Sequence, residues 1–134
     1  MKKVTGLGGV FFKCDNPQTM NEWYARNLGL ETSEYGTTFE WLQAEDPAKK
    51  GSTSWCTFPN DTKYFNPSTK PFMINYRVEN IVRLVEELRN DNVTVIDEIV
   101  EYEYGKFVHL LDPEGNIVEL WEPKDDVYEN NVAV

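Results

Sequence analysis

In the stretch KFVHLLDPEGNIVELWEP (106–123), the single histidine of the chain, His109, stands three residues before an acidic turn, and Glu119 follows that turn by the same distance. Read as two strands joined at DPEGN, with Asp112 paired to Asn116, the segment sets His109 directly across from Glu119. Their side chains then lie roughly 5 Å apart at Cβ, within hydrogen-bonding reach. Such a pair can share a proton in a half-buried site, act as general acid or base on a small substrate, or give two ligands to a metal. Two ligands hold a divalent ion weakly, because protein sites usually draw on three or more. A neighbouring carboxylate raises the proton affinity of the imidazole and burial lowers it, so the two effects oppose one another. The turn itself is structural: Asp and Pro start it, and Gly and Asn tolerate left-handed backbone angles.

The elements that must position this pair are legible from periodicity. DNPQTMNEWYARNLGLE predicts a helix, with Asp15 or Asn16 as N-cap, Pro17 at the first helical position and Gly29 as the stop. ENIVRLVEELRNDN predicts a second, capped by Asn80, with Ile81, Leu84, Val85 and Leu88 on one apolar stripe. A strand-like run precedes each helix, GGVFFKC and PFMINYRV. Others follow: LETSEYG, TTFEWL and STSWCTF in the first half, VTVIDEIVEY, KFVHLL and IVELW in the second. The predicted order is therefore βαβββ twice, an α+β chain of two modules, about 4–60 and 70–123. The loop PNDTKYFNPSTKP joins them and an acidic tail follows at 124–134.

A register follows from the repeat. Shifting the first module by 64 residues lays Asn16 on Asn80 and Pro59 on Pro123. The same shift pairs Gly9 with Met73, Phe11 with Asn75, Lys13 with Arg77 and Trp55 with Glu119.

Composition narrows the function classes. At 134 residues the chain reads as one domain, 1–134, able to bury about 68% of its unfolded surface without disulfide or metal support. A net charge of −10 with no clustered basic face argues against a nucleic-acid partner. The N-terminus carries neither a signal peptide nor a membrane span, so a cytoplasmic protein is expected. Cys14 and Cys56 are read as small buried hydrophobes.

Three stretches, GGVFFKCDNPQTMNEWYARNLGL, PFMINYRVENIVRLVEELRNDNV and GKFVHLLDPEGNIVELWEP, together resemble the vicinal oxygen chelate superfamily over residues from about 4 to 123. Glyoxalases, bleomycin-resistance proteins and extradiol dioxygenases belong to it. The resemblance implies a glyoxalase-like fold, in which each module curves its sheet into half of a cup, and a homodimer. It also implies four metal-ligand positions, on the first and last strand of each module. In this sequence they are Gly9, Trp55, Met73 and Glu119, and Glu119 alone is a competent ligand.

The expectation is therefore a protein that binds a small organic molecule in its cup with no cofactor and without the family's usual metal. Strand alternation turns Phe11, Met73, Asn75 and Arg77 towards the cup, and the register adds Trp55 and Trp121. These six are the expected ligand-binding residues. Arg77 and Asn75 would position an anionic or polar ligand, and Trp55 would form an aromatic wall. The alternative is a glyoxalase-like lyase or isomerase that removes a proton next to a carbonyl. His109 and Glu119 would then be its catalytic pair, or would hold a divalent metal in an altered site.

Overall fold

The computed structural model describes residues 3–125. The chain runs β1 (Val4–Cys14), α1 (Pro17–Leu28), β2 (Thr37–Leu42), β3 (Lys50–Pro59), β4 (Phe72–Val78), α2 (Ile81–Asn90), β5 (Val100–Tyr102), β6 (Gly105–Leu111), β7 (Ile117–Pro123). One seven-stranded sheet holds all the strands in the order β2-β3-β1-β4-β7-β6-β5. The opening strands of the two halves, β1 and β4, meet antiparallel at its centre, and each lies parallel to the last strand of its own half. Among the described residues no helix is long and apolar enough to cross a membrane.

Both helices lie where the sequence puts them, but they begin differently. Asn16 caps α1, its side chain accepting the N–H of Thr19 at 3.1 Å, and Gly29 ends the helix in the left-handed region at φ 73°. Asn80 precedes α2 with left-handed backbone angles and makes no side-chain cap bond. The Glu122 carboxylate of β7 accepts the N–H of Ile81 at 2.8 Å in its place, so a tertiary contact supplies the expected local cap. Ile81, Leu84 and Val85 of α2 are buried against Val78, Val108 and Leu120. Each such side chain contributes about 1.5–3 kcal/mol relative to exposure.

The first half is one strand short of the expected βαβββ. LETSEYG forms only an isolated bridge between Ser33 and Gly36, because the Ser33 hydroxyl accepts the N–H of Tyr35 and folds the segment into a turn. VTVIDEIVEY is likewise a strand only over Val100–Tyr102, plus a bridge from Val95 to Leu110. Between them the Asp97 carboxylate takes the backbone N–H of His109, a group a ladder would otherwise use.

The two faces of the sheet are filled differently. On one, α2 covers the cluster around Val78 and Leu120, and α1 packs Tyr24 against Trp55. On the other, Phe11, Met73 and Ile117 surround Phe65, which is fully buried and comes from the loop joining the halves. That anchor sets the position of the residue before it, Tyr64.

Candidate functional site

Seven residues of β6 and β7 pair as the hairpin reading requires, with His109 opposite Glu119. The DPEGN turn holds them in register: Asp112 accepts from the N–H groups of Glu114 and Asn116 and from the Asn116 amide, each at 2.9 Å. These bonds, the one to the Asn116 side chain foremost, hold the Asp112 carboxyl below its usual pKa. At the far side of the hairpin, His109 Nε2 lies 2.7 Å from Glu119 Oε2, and Nδ1 lies 2.6 Å from Asp97 Oδ2. Burial works against the charged imidazole, but its bonds to Glu119 and Asp97 outweigh that and set its pKa above the ordinary value. A carboxylate oxygen lies at hydrogen-bond distance from each ring nitrogen, an arrangement that favours the charged imidazole, the form able to donate to both.

Glu119 is 1% exposed and has three donors on it. The Tyr64 hydroxyl donates to Oε2 at 2.5 Å, alongside His109, and the Asn75 amide donates to Oε1 at 2.6 Å. Parallel pairing of β4 with β7 puts Asn75 beside Glu119. Tyr64 arrives from the loop, its ring stacked on Phe58 at 5.9 Å and edge-on to His109 at 5.4 Å. Burial, then the charge of Glu119 and the bond to it, push the Tyr64 hydroxyl well above its usual pKa, so it stays a donor.

Above this polar floor opens a cavity of about 280 Å³. Its walls are Phe11, Cys56 and Phe58 on one side and Tyr104, Phe107 and Trp121 on the other. The Phe107 and Trp121 rings stack at 5.8 Å, and the Trp121 indole N–H donates to the Tyr104 carbonyl at 3.0 Å. Gly8 closes the floor, so near to Asn75 that a Cβ there would lie 2.0 Å from Asn75 Oδ1.

Of the residues expected at the cup, Phe11, Asn75, Glu119 and Trp121 line this cavity. His109 stands behind Glu119. Met73 is fully buried beneath the floor, packed with Phe11, Phe65 and Ile117. Arg77 sits between the Trp41 and Trp121 rings, at 5.1 and 5.3 Å, and its guanidinium is bonded to Asp125 at 2.6 Å. It is 2% exposed and its charge is committed, which corrects the expectation of a cation offered to an anionic ligand.

Trp55 is a second correction. It packs against Phe12 and Tyr24 on the helix face, while its neighbour Cys56 lines the cavity. Phe11 pairs with Cys56 where Asn75 pairs with Glu119, so the last strand of the first half runs one residue later than the 64-residue shift implies. With a period of two, that single step moves Trp55 to the opposite face. Tyr64 and Asp97 were not singled out from the sequence. The signals for them are an aromatic pair, Tyr64–Phe65, in an otherwise polar loop, and an acid inside the apolar run VTVIDEIV.

The metal-ligand positions implied by the resemblance become Gly9, Cys56, Met73 and Glu119. They do not fit a divalent ion. Glu119 already receives three hydrogen bonds, and burial followed by the charge of Glu119 pushes the Cys56 thiol up to about 11, so it stays protonated. Among the described residues, no three His, Cys, Asp or Glu side chains are grouped to hold a metal.

An open sheet with helices outside and a polar-floored cavity inside is a glyoxalase-like fold. The chain belongs to the Glyoxalase/Bleomycin resistance protein/Dioxygenase superfamily, whose family model matches residues 7–120. Methylmalonyl-CoA epimerase from Mycobacterium tuberculosis is similar in structure, with 20% identity, a TM-score of 0.61, and 94% of this chain and 93% of that one aligned. A methylmalonyl-CoA epimerase from Streptomyces coelicolor aligns over 90% of this chain and 99% of its own, at 15% identity and a TM-score of 0.65. A glyoxalase/bleomycin resistance protein/dioxygenase superfamily member from Vibrio splendidus 12B01 aligns over 87% and 98%, at 13% identity and a TM-score of 0.53. At these identities the likeness is one of fold. No curated protein matches the sequence.

Proposed function

We propose that the cup binds a small, largely apolar organic molecule and does so without a metal ion. The observation that carries this reading is the cavity of about 280 Å³, walled by aromatic rings and floored by a carboxylate that three protein donors hold in place. A concave, mostly apolar site with a few convergent polar groups is what small-ligand binding needs, and the volume suits a compact ligand. Screening aromatic and aliphatic small molecules by thermal shift tests it. A ligand at a hundred times its Kd adds about 2.7 kcal/mol to stability, a readily measured rise in Tm. The rise should shrink in Phe107→Ala, which removes half of the stacked wall. A library in which nothing raises Tm would overturn the reading. So would about one equivalent of retained metal that Glu119→Gln releases.

One observation favours a second reading, a metal-free lyase or isomerase. The line Glu119–His109–Asp97 runs from the cavity to a carboxylate whose side chain is 41% exposed, a route by which a proton could leave. Glu119 would then be the residue that meets substrate, with His109 positioning it. Against this, an enediolate formed at the floor would meet Glu119 and the oxygen of Asn75 rather than a free donor. An enzyme of this kind would lose about 10²-fold or more in rate in Glu119→Gln. A binding protein has no such rate to lose.

A further inference from the structure

We infer that the ligand of this cup carries a cationic, hydrogen-bond-donating head, such as a primary ammonium, on its apolar body; the inference rests on the proposed binding role of the cup. Three of the side-chain donors that line the cup are spent within the protein. The Tyr64 hydroxyl and the Asn75 amide both donate to Glu119, and the Trp121 indole donates to the Tyr104 carbonyl. What the floor offers is acceptors. Asn75 Oδ1, on a residue that lines the cavity, has no hydrogen-bond partner although the residue is 1% exposed, and Gly8, packed against it, brings no side chain to supply one. An unpaired buried acceptor costs folding free energy, and a donor from the ligand recovers it. Glu119 Oε1 takes one bond, from Asn75, and a carboxylate oxygen can accept another.

Charge points the same way. Glu119 and Asp97 flank His109, so the trio stays negative even with the imidazole protonated. Arg77, two residues along β4 from Asn75, is neutralised by Asp125. The walls add the π-faces of Phe58, Tyr64, Phe107 and Trp121, which attract a cation and not an anion. An ammonium brings three donors and no acceptor, the complement of this floor. A carboxylate or phosphate brings only acceptors and a charge of the wrong sign.

Isothermal titration of the intact protein near neutral pH with phenethylamine, phenethyl alcohol and phenylacetate tests the inference. The three share a ring and differ in the charge of the head. The amine should bind about tenfold tighter than the alcohol, and phenylacetate weakest of all. In Glu119→Gln, shown folded by circular dichroism, the preference for the amine should fall below about threefold. Equal or tighter binding of the alcohol or of phenylacetate to the wild-type protein would overturn the inference, and that comparison needs no variant. A preference for the amine that Glu119→Gln leaves intact would overturn it too. If neutral aromatic molecules from the wider screen bind and the amine does not, the cup stands and the cationic head falls. If nothing binds, both readings fall together.

Discussion

His109 and Glu119 face each other across β6 and β7 with Nε2 and Oε2 2.7 Å apart, and Asp97 closes on the other ring nitrogen at 2.6 Å. The pKa of His109 is therefore higher in the folded protein than in the unfolded chain, burial being outweighed by the two carboxylates. The sign of its effect on stability follows. Its contribution is complete below the unfolded value of about 6.5 and is lost as pH rises through the folded value. Wild-type protein should lose stability relative to His109→Gln across that upward window, measured by urea unfolding at a series of pH values. The imidazole C–H resonances should titrate with a midpoint above about 6.5. A midpoint at or below it contradicts the double hydrogen bond.

Asp97 holds His109 twice, through the backbone N–H at 2.7 Å and through the ring. Asp97→Ala removes both bonds from the edge of the hairpin and should cost about 1–2 kcal/mol. It should also lower the midpoint of the His109 titration, because one of the two carboxylates is gone. Asp97→Asn keeps an acceptor and should cost less stability while still lowering that midpoint. An unchanged midpoint in both variants would show that Glu119 alone sets the charge on His109.

How far the sequence could be read depends on how local each determinant is. The hairpin was legible because Asp112, Gly115 and Asn116 fix its register within five residues, and that register placed His109 opposite Glu119. Both helices were legible for the same reason, through Asn16, Gly29 and the stripe on α2. What failed depended on distance. The cap of α2 comes from Glu122, the side chain over Glu119 comes from a loop, and Arg77 is neutralised by a residue 48 positions away. Trp55 was misplaced because a one-residue offset between the halves leaves no trace in either strand alone, yet turns every side chain over.

Arg77 gives a test of that long-range placement. Its guanidinium is buried between two indole rings, and Asp125 is its counter-charge. Removing one partner of a fully buried ion pair costs about 3–5 kcal/mol, because the other is left charged and dry. The Asp125 side chain is 31% exposed, so water can replace part of it, and Asp125→Ala should cost about 2 kcal/mol. In an Arg77→Met background, where an apolar chain fills the slot between the rings, the same change should cost little. A coupling of at least about 1 kcal/mol in the double-mutant cycle is expected from denaturant unfolding. Additive costs would mean that Asp125 does not serve Arg77.

Gly8 is where the fold and the cavity depend on the same missing atom. A Cβ at this position would lie 2.0 Å from Asn75 Oδ1 and 3.1 Å from the Trp121 ring. Neither neighbour can withdraw cheaply: the Asn75 amide is tied to Glu119, and Trp121 is stacked on Phe107 and bonded to the Tyr104 carbonyl. Gly8→Ala should therefore push Asn75 off Glu119 and destabilise the protein by about 1–3 kcal/mol. It should also move the Asn75 carbonyl oxygen out of its place in the floor, so binding in the cup should weaken more than stability does. The two effects separate by titrating ligand well below the unfolding temperature, where the variant remains folded. Weaker binding by a folded Gly8→Ala protein locates the ligand against the floor. Unchanged affinity would place the ligand higher in the cup, against the aromatic walls alone.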